Sequence, residues 1–165
     1  MNAIAVFNPL VCSGIEGYVI FQQKEGFTIV TFTLRGFKSN SEHGVHIHKY
    51  GISSIENACQ STCEHYNPEN KLHGSIFRHG NDRHAGDLIN NVLSDHLGQF
   101  NFAYKDSLIK VEDILGRSVV IHSGIDDLGI YRKDFTNKER QKGSATTGNA
   151  GGRIACSVIG RYKES

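Results

Sequence analysis

Residues 30–35 alternate strictly. Val30, Phe32 and Leu34 fall on one side of an extended backbone, and Thr31, Thr33 and Arg35 fall on the other. A period of two with a single apolar face describes a half-buried strand in an antiparallel sheet. The same pattern of short apolar runs closed by turn residues recurs along the chain. Residues 3–7 form such a run, ended by Asn8-Pro9, and residues 17–22, 99–105, 118–122 and 154–159 read as further strands, the last of them as the final strand. Eighteen glycines against two prolines supply the turns. The expected fold is therefore an all-β sandwich or barrel. At 165 residues the chain fits one domain, 1–165.

Two long polar stretches interrupt this pattern, residues 49–83 and 124–152. A structureless loop of that length is uncommon in a compact domain unless it is functional or held in place. The first contains Cys59, Cys63, His65, His73 and His79, which suggests that metal and a cross-link hold it. Within the second, residues 130–147 carry a net charge of +3.

The histidines point to chemistry. In Gly44-Val45-His46-Ile47-His48 the two imidazoles stand two residues apart, so on a strand they face the same side and can reach one ion. An isolated His-x-His is better read as two surface residues on an edge strand. Here seven more histidines weaken that reading. His84-Ala85-Gly86-Asp87 adds a carboxylate three residues after an imidazole, a mixed donor pair that suits zinc. Imidazoles without thiolate suit copper(II), zinc and nickel. Nine histidines exceed one tetrahedral site, which allows two metals, or one metal with several solvated histidines.

The whole-chain charge of +1 gives no reason to expect nucleic acid or a membrane as partner. No apolar run is long enough to span a bilayer, and residues 1–14 lack the basic start of a secretory signal, so a cytoplasmic location is expected. Four cysteines are too few for a disulfide scaffold. A cytosolic cysteine is more often reduced, buried or metal-bound, and Cys59-x-x-x-Cys63 lacks the second pair of a four-thiolate zinc site.

The chain resembles the copper/zinc superoxide dismutases. The matching motifs are Gly44-Val45-His46-Ile47-His48, His65-Tyr66-Asn67-Pro68, Lys71-Leu72-His73-Gly74, Arg83-His84-Ala85-Gly86-Asp87-Leu88, Val119-Val120-Ile121-His122 and Asp126-Asp127-Leu128-Gly129. They end with the run from Thr147-Gly148-Asn149 through Arg153 to Cys156. They follow the family's order from one end of the chain to the other.

The resemblance implies an eight-stranded Greek-key β-sandwich with a metal-binding loop at about 49–84 and an electrostatic loop at about 123–147. It implies one copper and one zinc per subunit. Copper is held by His46, His48, His65 and His122; zinc is held by His65, His73, His84 and Asp87. His65 bridges the two. Asp126 accepts hydrogen bonds from the far nitrogens of His46 and His73. Cys59 and Cys156 form an intrasubunit disulfide. Arg153 docks superoxide in a channel narrowed by Thr147, and His65 and Arg153 are the catalytic pair. The implied reaction converts superoxide to dioxygen and hydrogen peroxide by alternate reduction and re-oxidation of copper. The implied partners are superoxide, a second copy in a homodimer, and a copper chaperone as a candidate for loading.

The sequence also departs from the family. Two extra residues separate His73 from His84, so His79 competes with His84 as a zinc ligand; the Asp87-Leu88 that follows favours His84. Residues 87–92 carry an insertion where a glycine is usual. Cys63 stands where a glycine is common, as a competitor of Cys59 for Cys156 or a small buried thiol. Cys12 reads as a core or turn residue, and His43 and His96 match no ligand. The usual glutamate pair and lysine of the second loop are missing before Thr147. Around the dimer patch of Tyr50-Gly51, Leu115-Gly116 and Val158-Ile159-Gly160, Arg161 replaces a residue that is usually apolar. The alternative to an enzyme is a non-catalytic zinc-binding or decoy relative. Such a relative should have lost a copper ligand or the arginine, and all are present. A copper-delivery protein would need an extra thiol-rich domain, for which the chain has no room.

Overall fold

The structure, a computed structural model, describes residues 1–163. Its nine strands are β1 Asn2–Phe7, β2 Glu16–Lys24, β3 Phe27–Arg35, β4 Glu42–His48, β5 Asn91–Leu93, β6 Gln99–Asp106, β7 Ser118–His122, β8 Arg153–Val158 and β9 Gly160–Tyr162. They form a five-stranded sheet in the order β6-β3-β2-β1-β9 and a four-stranded sheet in the order β5-β4-β7-β8. All pairings are antiparallel. The all-β sandwich is therefore what the alternation led us to expect.

The final strand differs from expectation. It does not stop at Ile159. β8 pairs with β7 in one sheet, and after the buried Ile159 the chain continues as β9 beside β1 in the other. The described residues thus form nine strands where eight were expected, because the last run changes sheets after Ile159.

Period two decides what enters the core. Val30, Phe32 and Leu34 of β3, Val45 and Ile47 of β4, and Val119 and Ile121 of β7 all belong to one buried apolar cluster shared by the two sheets. Packing that face together turns the alternate residues of β4 and β7 to the outside of the four-stranded sheet. Those residues include His46, His48 and His122.

The two long loops are less structureless than their composition suggests. The first holds a 3₁₀ turn at Gln60–Thr62 and the short helix α1, Ile76–His79, whose Ser75 cap accepts a hydrogen bond from the Phe77 amide at 3.2 Å. A second short helix, α2, spans Val111–Ile114 before β7. The second long loop contains α3, Lys138–Thr146, capped by Asn137. α3 is polar almost all round, so no apolar period announces it. It is docked through Gly143, where an added Cβ would lie 1.8 Å from Asn149 Oδ1.

Arg83 is one of the largest fully buried side chains. Its guanidinium makes a two-pronged ion pair with Asp106 at 2.8 and 2.9 Å, and donates to the carbonyls of Gly80 and His84 at 3.1 Å each. A buried charge pair is tolerable only when it is satisfied in this way. Here it fixes the backbone on which His84 stands.

Candidate metal centre

β4 sets His46 and His48 on the outer face of the sheet, each paired in register with β7 as His46↔Val120 and His48↔Ser118. A register shift between Ile121 and His122 brings His122 opposite Arg153. Bulges of this kind re-aim a side chain at the end of a ladder. The first loop then runs back along β4. Lys49 N–H donates to Glu64 C=O and Tyr66 N–H to Ile47 C=O, both at 2.8 Å, which sets His65 beside His48.

His46, His48, His65 and His122 bring one nitrogen each within 4.8 Å of one another, and all four side chains are buried. Carbonyls and a carboxylate fix three of the tautomers. His48 Nδ1–H donates to Cys63 C=O at 2.7 Å, His122 Nδ1–H to Gly151 C=O at 3.2 Å, and His46 Nε2–H to Asp126 Oδ2 at 2.6 Å. The lone pairs of His48 Nε2 and His122 Nε2 consequently face each other at 3.2 Å. His46 Nδ1 and His65 Nε2 are buried without a hydrogen-bond partner. Converging lone pairs that have lost water repel unless a cation lies among them. An all-imidazole set of this kind suits copper(II), zinc or nickel.

The second cluster is His65, His73, His84 and Asp87. The amides of His84 and Gly74 donate to Asp87 Oδ2 at 2.9 and 3.0 Å, leaving Oδ1 for the imidazoles. Asp87 Oδ1 lies 3.1, 2.8 and 3.1 Å from Nδ1 of His65, His73 and His84, and the His65 and His84 Nδ1 atoms are 3.4 Å apart. For ligand bonds of about 2.0 Å the edge of a tetrahedron is about 3.3 Å, so these separations fit a tetrahedral ion such as zinc. His65 belongs to both clusters; its Nδ1 lies against Asp87 and His84, and its Nε2 is buried with no hydrogen-bond partner among the described residues.

Asp126 joins the clusters from behind. Besides His46 it accepts from His73 Nε2–H at 3.0 Å on Oδ1. Gly148 has φ +65°, and an added Cβ there would lie 2.5 Å from both Asp126 and His73, so backbone replaces side chain at this contact.

Charge differs between the two sides. Burial first, then neighbouring imidazoles, hold His46 and His65 well below the usual histidine range and His48 at about 2. Burial also lowers His122. All four are neutral at pH 7. Burial pushes His73 down as well, but hydrogen bonds to Asp126 and Asp87 overcome it and raise the group to about 10. In the metal-free protein His73 therefore carries a proton at pH 7, and it must release that proton before Nδ1 can serve as a ligand. Zinc uptake at pH 7 is expected to release about one proton. Affinity should rise with pH by up to about tenfold per unit below pH 10. Calorimetry in two buffers of different ionisation enthalpy measures this directly; equal heats in both would contradict it.

Arg153 Nη1 donates to the carbonyls of Cys59 and Gln60 at 2.7 and 3.1 Å and to Thr62 Oγ1 at 3.2 Å; Nη2 donates to Cys63 C=O. The side chain lines a cleft of about 340 Å³ together with His48, His65, His122 and Thr147. The segment that anchors it is tied to β8 by the Cys59–Cys156 disulfide, with Cα atoms 5.5 Å apart.

Several local expectations change. Cys63 is exposed rather than a buried thiol, and Cys156 is already bonded to Cys59. Cys63 has φ +67°, which accounts for the family's glycine at that position. His79 accepts from the Ser75 amide at 3.0 Å and lies outside both donor clusters, because α1 absorbs the extra residues. The basic loop is also partly neutralised. Arg132 is buried and pairs with Asp82 at 2.6 Å, and Arg140 pairs with Asp134. Cys12 is buried, His43 Nδ1–H supports the His122 carbonyl at 2.9 Å, and His96 is exposed. Sequence reasoning missed Arg83, Arg132 and Asn90, whose roles appear only through buried contacts distant in the chain.

The family described as copper/zinc superoxide dismutase (SODC) matches residues 15–159. A protein of Podospora anserina named superoxide dismutase [Cu-Zn] is 40% identical over 90% of this chain and 91% of its own. Proteins of the same name from Saccharomyces cerevisiae and Paramecium bursaria Chlorella virus 1 are 41% and 37% identical, over 90% and 100% of this chain and 91% and 81% of theirs. A solved structure described as a crystal structure analysis of the clock protein EA4 superposes with a TM-score of 0.80 at 36% identity, covering 96% of this chain and 93% of the other.

Proposed function

Since the chain belongs to the copper/zinc superoxide dismutase family and is in that sense a superoxide dismutase enzyme, we propose that it turns two superoxide anions and two protons into dioxygen and hydrogen peroxide at this centre. The observation that carries the reading is the shared His65. It is a member of both donor clusters, with Nδ1 against Asp87 and with Nε2 buried and free of any hydrogen-bond partner among the described residues, so that Nε2 is left for the second ion. In this reading His46, His48, His65 and His122 hold copper, and His65, His73, His84 and Asp87 hold zinc, one ion of each per subunit. When bound, copper supplies a one-electron couple and zinc a redox-silent positive charge.

The chain's own groups do the remaining work. Arg153 keeps its charge at any working pH, and its carbonyl anchors aim the guanidinium into the cleft, where it receives the anion. Thr147 lines the same cleft and narrows it. His65 Nε2 is the nitrogen that takes up a proton and passes it to the reduced substrate. His65 Nδ1 remains directed at the zinc cluster, so the ring keeps its orientation throughout. Asp126 holds the tautomers of His46 and His73. Lys133, Lys138 and Lys142 are the loop cations outside the ion pairs found among the described residues, and they supply whatever attraction draws superoxide in.

The same reading takes 1–165 as one domain, with the metal-binding loop at about 49–84 and the electrostatic loop at about 123–147. It takes the active form as a homodimer. Tyr50 and Val158 leave an exposed apolar patch beside Gly51 and Gly116, which touch closely enough that a Gly51 Cβ would lie 2.5 Å from Gly116 C=O. No helix among the described residues is long and apolar enough to cross a membrane.

Metal analysis paired with a superoxide-consumption assay tests the function. One copper and one zinc per chain are expected, with rapid consumption. Loaded protein that removes superoxide no faster than buffer would overturn it, and zinc uptake without copper would indicate a non-catalytic relative.

A further inference from the structure

Between Asp87-Leu88 and β5, where the resemblance to the family implies an insertion, Asn90 turns inward. Asn90 is fully buried, with φ +66°. Its backbone N–H donates to Asp87 C=O at 2.9 Å, and its C=O accepts from Val45 N–H at 2.7 Å. Its side-chain Nδ2 donates to Gly74 C=O at 2.7 Å and to Asp126 Oδ2 at 3.3 Å. Each of these partners is a residue of the centre or an immediate neighbour of one: Val45 precedes His46, Gly74 follows His73, and Asp87 and Asp126 belong to it directly.

The orientation of the amide follows from its partners. Gly74 C=O and the Asp126 carboxylate can only accept, so the NH₂ end must face them. The other end, Oδ1, is buried with no partner among the described residues. That is costly in a dry interior. Glycine would accept the positive φ with no such cost. What glycine cannot supply is the NH₂ group on Asp126. The other side-chain partner of Asp126 Oδ2 is His46, and Oδ1 takes His73 and the Leu128 amide. Rotation of this carboxylate would therefore move both imidazoles, one from each cluster.

We propose that Asn90 is a positioning residue of the metal centre: its side-chain amide fixes the plane of the Asp126 carboxylate and ties it to the Gly74 backbone beside His73, thereby setting the aim of His46 and His73. The proposal rests on the metal-centre reading above, and adds to it a residue that the family motifs in this sequence do not include.

Two variants separate this role from simple packing. Asn90→Gly keeps the backbone conformation and deletes the amide. Asn90→Asp keeps the shape but turns the donor into a carboxylate facing Asp126. In the full chain loaded with copper and zinc, both should release zinc to a chelator about tenfold faster than the parent, with Asn90→Asp the faster. Cobalt placed in the zinc position should show shifted d–d bands, and the copper EPR spectrum should change. A purely structural role would lower the melting temperature of the metal-free protein and leave both spectra superimposable on the parent's. Superimposable spectra with parental zinc release in Asn90→Gly overturn the proposal, and that variant decides alone should Asn90→Asp not fold. A parent that binds both metals yet leaves superoxide untouched would end the functional reading and leave the role of Asn90 standing.

Discussion

Replacing His122 by alanine should lower superoxide consumption at least about 10³-fold, equivalent to about 4 kcal/mol of barrier, while leaving zinc content near the parent's. His122 is held by its own elements. The bulge at the end of β7 re-aims it, Gly151 C=O takes its Nδ1–H, and its main-chain carbonyl accepts from His43. Its Nε2 then faces His48 Nε2 at 3.2 Å. Alanine removes one of four converging nitrogens and opens the cluster toward the cleft that Arg153 lines. Loss of a residue that merely supports a ligand typically costs 10–100-fold, so loss of a direct ligand should cost more. No atom of His122 belongs to the His65, His73, His84 and Asp87 cluster, hence the expected selectivity. His96→Ala, at an exposed turn residue, is the control and should retain parental activity. An His122→Ala protein with full activity and an unchanged copper spectrum would contradict the assignment.

Which parts of this centre could be read in the sequence depends on the range of the interactions that build it. His46 and His48 are legible because a strand's period is local: once Val45 and Ile47 are buried, both imidazoles must face outward. The strands themselves follow from the same period, as the Val30, Phe32, Leu34 face shows. Apart from His122 at the end of β7, the remaining donors lie on loops, where no period operates, and only the family motifs pointed to His65, His73, His84 and Asp87 together. Features set by contacts across the chain were invisible. The bulge at His122 depends on how β8 pairs with β7, and α3 carries no apolar stripe. Arg132 looks like one more loop cation until Asp82 and the His73 carbonyl are seen around it. Asn90 looks like a turn asparagine until Asp126 and Gly74 are seen against it. The extra strand β9 is three residues long with a glycine at its start, below what alternation can signal.

Removal of the disulfide should cause the largest loss of stability. The bond closes a loop with a sequence separation of 97. In the chain-entropy account a closure of that length is worth about 4.7 kcal/mol, which for a chain of this size corresponds to a melting temperature about 10–20 °C lower. The variant to use is Cys59→Ser made together with Cys63→Ser, so that the exposed thiol four residues away cannot pair with Cys156 instead. Cys59 is only half-buried, so serine there adds little desolvation cost of its own. The disulfide also ties down the segment that aims Arg153, since the carbonyls of Cys59, Gln60 and Cys63 and the Thr62 hydroxyl all lie within it. Freed from β8, that segment can move as a unit and take the guanidinium with it. Activity measured well below the melting temperature should consequently fall as well, even in protein that still holds both metals. Scanning calorimetry of the metal-free and loaded forms separates the two effects. A double variant that melts within about 2 °C of the parent would mean that the loop's own contacts, chiefly the ladder from Lys49 to Tyr66, restrain it in the unfolded chain as effectively as the covalent bond does, and the entropic account would not hold for this protein.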